Sequence, residues 1–527
     1  MKRITIVIVL LAGLCSCSGF LEKVPTTSVN PDTYLKNEEE AYSLMWAVYN
    51  SFYDGNRMAP YMIDMMTDNV YTSNPSLGVN EFAQGTQNPL SVWTEHKWTT
   101  DFRAIARANY LLRKLPGCDK IDEKTSLAIA AEARFLRAWF YYDLVIFYGR
   151  VPLLNEETPL QDMPREEIGK VLDQIKDDIA FAIENLSNKT DPERANVGAA
   201  YGLRLRVAQY ENDHQTVIDC ANAIAAMGYK LYDSYKDLFL ENGHDDPANK
   251  EIIFKIPYEP DVMPNNVSTL IYGWRVFHVT LEMVDSYFTG NGLPIRKIVA
   301  TDGTEIPADP TYKPRARSFD NRDPRFYWSV LYPGQRYRFD MYSNDGDFNP
   351  RGWMAYTSFL AKKHCNEELK YGTQDGSDRI LFRYGEVLLA LAEAENELNG
   401  PKGAYEPLDE LRRRVGMVTV SESLPNLSQA AMRELIRNER RVELFLEGQR
   451  WFDIRRWHIA EDVMKDAHGY DYTRLQWKEE NETEWWTFKV YVANKRTFNP
   501  ARDYLWPIPQ TEINSNSCMT DDQNPGY

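Results

Sequence analysis

The sequence predicts a mainly α-helical protein of stacked helical hairpins, interrupted by an irregular, loop-rich insertion that contains short strands. Two observations lead to this fold class. Apolar residues recur at spacings of three and four in two long blocks, before residue 257 and after residue 380, which indicates amphipathic helices. Between these blocks, residues 257–372 are rich in Pro, Gly, Asn and aromatic residues and have no helical period.

The first block contains six predicted helices joined by short polar turns. They cover residues 38–52, 100–115, 126–147, 166–186, 197–210 and 215–227. The third has the clearest pattern, with Ala131, Phe135, Trp139, Tyr142 and Ile146 in one stripe. Gly149 and Pro152 follow as stop signals. Because this stripe is broad, we expect the helix to be buried between two neighbours. Successive antiparallel pairs of this length indicate stacked hairpins.

The second block resumes after the insertion. Helices are predicted at 380–398, 404–415 and 429–446, followed by a short helical turn at 451–457. The tail is irregular again, and Trp485 and Trp486 indicate a small strand within it. We therefore predict one domain over 17–527: a helical scaffold at about 38–256 and 375–460, an insertion at about 257–374, and an irregular C-terminal segment at 461–527.

The N-terminus has the features of a lipoprotein signal peptide, predicted as residues 1–16. Lys2 and Arg3 precede an apolar run over residues 4–14, which is too short to cross a hydrocarbon core of ~30 Å as a helix. Ser16 before Cys17, with Leu14 three positions before it, suits processing at Cys17. Cys17 is the predicted lipidated N-terminus, and an ordinary secretory signal is the alternative.

Charge and cysteine usage exclude several classes of protein. The formal net charge of -17 repels nucleic acid and anionic lipid surfaces, whereas neutral ligands such as sugars are easily accommodated. Four cysteines outside the signal region are widely scattered, and no C-x-x-C pair occurs, which excludes zinc-ribbon and thioredoxin-like motifs. The aromatic content of 13% exceeds what a core needs and suits a surface that stacks on sugar rings.

Motifs for enzymatic chemistry are absent from the sequence. No H-x-x-x-H pair, G-x-S-x-G elbow, phosphate loop or dinucleotide fingerprint occurs. Residues 345–349 begin like a calcium loop, but Pro350 stands where Gly is required and Tyr356 where Glu is required, so a polar turn is favoured. We predict no catalytic residue, no cofactor and no metal site.

One charged block nevertheless resembles a catalytic pair. Glu439 and Glu443 lie at i and i+4 on the apolar face of the helix at 429–446, a pattern compatible with acid/base catalysis. Five arginines surround them in sequence: Arg440, Arg441, Arg450, Arg455 and Arg456. Guanidinium groups keep carboxylates ionised, so we favour a structural ion-pair network. A secreted glycoside hydrolase that uses these two residues is the alternative.

Candidate ligand-binding residues are aromatic residues in segments without helical period. Tyr71 and Trp93 lie in the predicted loop at 68–95, which is rich in Asn and Gln. Tyr272, Trp274 and Phe277 lie in the insertion beside Arg275. Sugar rings stack on Trp and Tyr through their C–H faces, while amide and guanidinium groups satisfy the hydroxyls. The alternative is that each ring packs beneath its own loop.

Several separated blocks resemble the RagB/SusD family of outer-membrane nutrient-binding lipoproteins, in the family's order. They lie at 17–22 (CSGFLE), 132–138 (EARFLRA), 141–153, 284–287 (VDSY), 321–325 (NRDPR), 383–389 (RYGEVLL), 438–453, 506–510 (WPIPQ) and 523–527 (QNPGY). Together these blocks extend over nearly the whole chain. One of them would be weak support, whereas the ordered set is specific.

The resemblance implies a fold, a function and partners. The helices would form a superhelix resembling tetratricopeptide repeats and would dock on a SusC-like TonB-dependent outer-membrane transporter. The insertion side would capture a glycan or oligosaccharide by reversible binding, without bond cleavage and without a cofactor. Cys17 would anchor the protein to the outer membrane, facing the exterior. In this family Glu439 and Glu443 would hold helices together. A peptide ligand remains the alternative to a glycan.

Overall fold

The computed structural model describes residues 35–56, 59–159, 161–312, 319–339, 344–367, 374–471 and 489–527. Side chains in 54–56, of Tyr272 and in 337–347 are outside this description. The predicted signal peptide, Cys17 and the Trp485–Trp486 pair also lie outside the described residues. Within the described part, no helix is both long enough and apolar enough to cross a lipid bilayer.

The predicted fold class is confirmed, because helices dominate the described residues and the strands are few and short. The helices of eight or more residues there are α1 Glu38–Tyr49, α2 Val92–Lys114, α3 Glu123–Tyr148, α4 Ile168–Asn185, α5 Val197–Glu211, α6 His214–Ala226, α7 Tyr384–Asn399, α8 Tyr405–Arg414, α9 Gln429–Glu443 and α10 Gln449–Arg456. Shorter helices lie at Pro60–Ile63, Asn80–Gln84, Glu241–His244, Leu281–Ser286, Pro324–Ser329, Val420–Ser423, Ala460–Val463 and Gln510–Ser515.

The helices stack in chain order. Each of α1 to α6 packs against the next, and α7 packs on α6, so that the two helical blocks join across the insertion. The Asp122 side chain caps α3 by accepting a hydrogen bond from the Thr125 N–H at 3.0 Å. Gly149 ends α3 with φ +73°, a left-handed conformation that glycine adopts without strain. As predicted, α3 is buried between two neighbours, α2 and α4.

A buried arginine within the 132–138 block connects three of these helices through hydrogen bonds. Arg137 on α3 binds both carboxylate oxygens of Asp178 on α4, each at 2.7 Å. Its Nη1 also donates to the Asn109 side chain on α2 at 2.6 Å. Arg137 and Asp178 are almost inaccessible to solvent. A guanidinium group has enough donors in one plane to bridge three helices in this way.

The strands are short and antiparallel. They are β1 Val70–Tyr71, β2 Ile252–Ile256, β3 His278–Val279, β4 Ile298–Val299, β5 Glu305–Ile306, β6 Val330–Leu331, β7 Arg336–Phe339, β8 Asn344–Asp347, β9 Leu360–Ala361, β10 Arg379–Arg383, β11 Ala467–Tyr470 and β12 Val490–Asn494. Four of them form a sheet in the order β1-β3-β9-β6, and the others form two-stranded pairs. In the four-stranded sheet, Tyr71 lies opposite His278, and His278 lies opposite Leu360.

Two sequence-based predictions of local structure are wrong. Residues 380–383 were predicted as helix, but β10 pairs with β2, so that Ile380 and Phe382 are buried against Lys255 and Phe254. Apolar residues fill both faces of this short segment, and such a pattern cannot distinguish a buried strand from a helix. Residues 344–347 form β8 of a hairpin with β7 instead of a polar turn.

Below the helical layers lies a buried ionic network of ten side chains. It contains equal numbers of acidic and basic groups: Glu251, Asp323, Glu439, Glu443, Glu447, Arg325, Lys363, Arg383, Arg412 and Arg414. These residues come from the start of β2, the insertion, the end of β10, α8, and the region of α9 and its C-terminal turn. The network therefore joins the insertion to both helical blocks.

Arginines on both sides hold the α9 carboxylates. Arg325 Nη2 donates to Glu439 at 2.9 Å, and its Nη1 donates to Glu443 at 3.0 Å. Arg383 donates to Glu443 at 2.9 Å and binds both oxygens of Glu447 at 2.7 Å. Burial by itself would raise the pKa of the Glu443 carboxyl, but Arg414, Arg383 and Arg325 hold it well below its usual range.

The preference for a structural network around Glu439 and Glu443 is confirmed, although the arginines expected to surround them pair elsewhere. The observed contacts are Arg440 with Asp453, Arg441 and Arg450 with Asp68, Arg456 with Glu393 and Asp453, and Arg455 stacked on Trp451. The true partners are distant in sequence: Arg325 lies 118 positions from Glu443.

Removing one carboxylate charge from the network should strongly destabilise the fold. We expect Glu443→Gln to lower the free energy of unfolding by roughly 3–5 kcal/mol, because three buried guanidinium groups each lose one of their counter-ions. The matched control is Glu406→Gln, which breaks an exposed ion pair with Arg413 on α8 and should change stability by ~0.5 kcal/mol or less. Denaturant unfolding of both variants measures the difference. Equal effects would contradict a stabilising network.

Acid should unfold the protein through the same carboxylates. Burial alone would raise the pKa of Glu447, but Arg383 and Lys363 lower it to about 2 from an ordinary value of 4.5. A folded-state pKa below the unfolded value means that the stabilisation is present above pH ~4.5 and disappears as the pH falls through the folded pKa. Unfolding free energies measured between pH 5 and pH 2 should fall steeply. The Glu447→Gln variant should fall less, and a level profile over this range would refute the prediction.

Candidate functional site

Two of the aromatic residues predicted to bind ligand are buried. Trp93 lies in the first turn of α2, not in a loop, and its side chain is only 2% exposed. Its Nε1 donates to the Leu77 carbonyl at 2.5 Å. Gly78 closes over the indole with φ +71°, and a Cβ there would lie 3.3 Å from Trp93 Cδ1. Trp93 is therefore core packing beneath its turn, and its predicted contact with ligand at the surface is wrong.

Phe277 is the second correction. Its side chain is 1% exposed and meets the Tyr61 ring edge-on, with ring centroids 6.0 Å apart. It directly precedes β3, in which His278 and Val279 are also buried. The side chain of Tyr272 lies outside the described residues, so its predicted role stays a prediction.

Trp274 and Arg275 lie at the surface, and Arg275 contacts a second tryptophan, Trp353. The Trp274 side chain is 62% exposed, which is rare for the largest aromatic residue. Arg275 is half-buried, with its guanidinium carbon 4.7 Å from the ring centroid of Trp353, and its Nη1 donates to the Trp353 carbonyl at 3.4 Å. A cation held over an indole face stiffens both side chains.

Tyr71 is connected to this segment through the four-stranded sheet, where it lies opposite His278, three positions after Arg275. Its ring lies 5.8 Å from that of His278, which in turn meets the Tyr356 ring edge-on at 5.2 Å. Tyr71 and Tyr356 are half-buried, whereas His278 is buried beneath them. Burial lowers the pKa of His278 to about 3, so this imidazole is neutral and serves as packing.

We refer to Tyr71, Trp274, Arg275, Trp353 and Tyr356 as the aromatic patch. It combines three of the predicted residues with two that the sequence analysis missed, Trp353 and Tyr356. Trp353 follows the sequence Pro350-Arg351-Gly352 in a segment without helical period. Trp274 was selected as an aromatic residue in a segment without helical period, and the same criterion would have selected Trp353.

The chemistry of the aromatic patch is that of binding. It presents flat apolar rings, phenol groups and one guanidinium group, which together can stack on sugar C–H faces and donate to hydroxyls. None of its members is a carboxylate that could act as a general acid or base. Within the described ranges, His, Cys, Asp and Glu side chains form no group of three or more that could hold a metal ion.

Comparisons with family models and solved structures agree with this architecture. Residues 239–527 match the model of the SusD family, and residues 19–208 match a model described as starch-binding, associating with the outer membrane. A SusD-like protein of Bacteroides fragilis has a TM-score of 0.78 and 25% identity, with 96% of this chain and all of that chain covered. A SusD-like carbohydrate-binding protein of the same species has a TM-score of 0.75 and 23% identity, covering 92% and 99%.

Curated relatives extend over the same length. SusD-like protein P25 of Formosa agariphila is 24% identical, with 100% of this chain and 99% of that protein covered. SusD-like protein P38 of the same organism is 26% identical, covering 90% and 94%. A laminarin-binding SusD-like protein of known structure has a TM-score of 0.63 and 22% identity over 94% of this chain and all of that chain. The family model and the sequence blocks agree across both halves, and the chain belongs to the SusD/RagB family.

Proposed function

We propose that this protein binds a glycan or oligosaccharide at the outer surface of the outer membrane and delivers it to a SusC-like TonB-dependent transporter. Two descriptions among its relatives support the ligand class: one solved structure is called carbohydrate-binding and another laminarin-binding. The matching family model, described as associating with the outer membrane, supports the location.

The aromatic patch is the observation that carries this proposal. Trp274 exposes most of a large apolar ring to water, and Arg275 and Trp353 form a stiff platform beside it. An exposed apolar surface framed by polar groups indicates a binding site. Sugars match it because their rings offer an apolar face and a polar edge at the same time.

The binding mechanism is reversible and leaves the glycosidic bonds intact. The glycoside hydrolase alternative depended on Glu439 and Glu443, which are 2% and 0% exposed and paired with arginines. A general acid needs a raised pKa, whereas burial of Glu439 is outweighed by Arg412 and Arg325, which lower its pKa. These two carboxylates can neither reach a glycan nor hold a proton for it.

Attachment through Cys17 forms part of the proposed mechanism. A lipid tether would keep captured ligand beside the transporter pore at a high effective concentration. The stacked helices offer a broad surface for a permanent protein partner. Ligand and transporter would then contact different parts of one rigid body.

Glycan binding should depend on the exposed rings of the aromatic patch. We expect Trp274→Ala and Trp353→Ala each to weaken the affinity about tenfold, because each removes a stacking face worth ~1.4 kcal/mol. Leu398→Ala removes an exposed apolar side chain on α7 and should leave the affinity unchanged. Calorimetric titration of the mature protein against a panel of glycans and peptides identifies the ligand, after which the variants are compared.

Three results would overturn the proposal. Binding of peptides with silence across the glycan panel would change the ligand class, and shortened glycans after incubation would indicate hydrolysis. Unchanged affinity in both tryptophan variants would exclude the aromatic patch. Trp93→Ala serves as the contrast: it should lower the free energy of unfolding by about 3–5 kcal/mol, because it leaves a cavity in the core.

A further inference from the structure

A second concave surface lies apart from the aromatic patch and shares no lining residue with it. This cleft has a volume of about 600 Å³. One wall consists of Trp46, Tyr49 and Tyr53, from α1 and the turn that follows it. The opposite wall contains residues 256–260 with Val262 and Met263, and the loop at 191–194 closes one side. We refer to it as the acidic cleft.

Negative charge dominates the lining of the acidic cleft. Its carboxylates are Asp191, Glu193, Glu241, Asp245, Glu259 and Asp378, and its one basic lining residue is Arg194. Arg194 already forms an ion pair with Glu132, and its guanidinium carbon lies 5.7 Å from the Trp46 ring centroid. It therefore neutralises a charge outside the cleft, not one inside it.

The carboxylates of the acidic cleft differ in their partners among the described residues. Lys255 behind the wall pairs with Asp378 at 2.5 Å and with Glu193 at 3.3 Å. By contrast, the side chains of Glu241, Asp245 and Glu259 make no hydrogen bond or ion pair with any part of the chain that the structure describes. Two effects raise the pKa of Glu241. Partial burial is the larger effect, and the charges of neighbouring carboxylates, of which Asp245 contributes most, are the second. Mutual repulsion among these carboxylates is the physical cause of the second effect.

The rim of the acidic cleft is apolar and exposed. Val262 is 79% exposed, Met263 is 39% exposed and Trp46 is 49% exposed. Val262 and Met263 belong to a tight turn closed by the bridge between Glu259 and Met263. Exposed apolar side chains beside carboxylates, of which Asp245 and Glu259 are exposed and Glu241 is half-buried, are complementary to an aliphatic stem that ends in a cationic group.

We propose that the acidic cleft binds a lysine or arginine side chain presented by a peptide segment. The cationic group would lie among Glu241, Asp245 and Glu259 and relieve their repulsion, while its alkyl stem would pack on Trp46, Val262 and Met263. A neutral sugar could donate hydrogen bonds to these carboxylates but would leave them repelling one another. The charge therefore favours a cation over a second copy of the neutral ligand.

The test uses a blocked pentapeptide, acetyl-Ala-Lys-Leu-Lys-Ala-amide, and the same peptide with both lysines acetylated. We expect the cationic peptide to bind the mature protein, the acetylated peptide to bind at least tenfold more weakly, and the affinity to fall at least tenfold between 50 mM and 500 mM salt. Equal binding of the two peptides, or binding indifferent to salt, would overturn the proposal.

Matched variants locate the site. Glu241→Gln with Asp245→Asn should weaken peptide binding at least tenfold without lowering the melting temperature, because neither carboxylate forms an ion pair with the residues that the structure describes. Asp177→Asn with Glu184→Gln makes the same charge change at exposed positions on α4 and should have little effect. Equal losses in the two double variants would show a non-specific charge effect and refute the acidic cleft.

Two further measurements distinguish this proposal from the glycan proposal and from binding of a cationic glycan. Trp274→Ala should leave peptide binding unchanged, so that failure of the glycan proposal and failure of this one are distinguishable. A glucosamine trimer carries the same ammonium charge on a sugar. If it binds through Glu241 and Asp245 while the peptide does not, the occupant is a cationic glycan and the peptide assignment is wrong.

Discussion

The buried ionic network is the constraint on which the rest of the fold depends. Ten charged groups removed from water are tolerable only when every one has its counter-ions in place, since a single unpaired buried charge costs several kcal/mol. Glu251, Arg325 and Arg383 come from three separate parts of the chain and meet around Glu443 and its neighbours. Insertion and helical blocks must therefore be positioned together.

This network also supports the surface that we assign to the glycan. Lys363 follows β9 by two residues, and Arg325 lies in the short helix immediately before β6. Both strands belong to the sheet that carries Tyr71 and places Tyr356 beside it. The apolar residues of these strands pack into the main hydrophobic core, and the buried charges beside them add a second anchor for the sheet. The acidic cleft differs in chemistry, because Glu241, Asp245 and Glu259 form no ion pair within the part of the chain that the structure describes.

Helical periodicity was a sufficient guide to most of the scaffold. In α3, the apolar stripe, the Asp122 cap and Gly149 all indicate the same helix. The structure contains this helix with Asp122 and Gly149 at its two ends. Periodicity gave the wrong element at β10, because a strand that is buried on both faces has no alternation of apolar and polar residues to distinguish it from a helix. It also failed at Trp93, where polar neighbours resembled a loop although the indole fills the space beneath Gly78.

Local spacing and composition were enough to predict the helical architecture, the family and the structural role of Glu439 and Glu443, because each of these depends on residues that are close together in the chain or on ordered sequence blocks. Tertiary structure alone decided which rings are exposed and which arginines pair with which carboxylates. Trp274 and Phe277 are three positions apart, yet one is at the surface and the other is in the core. Exposure and ion pairing depend on segments that are distant in the chain, and no local pattern encodes where those segments will lie.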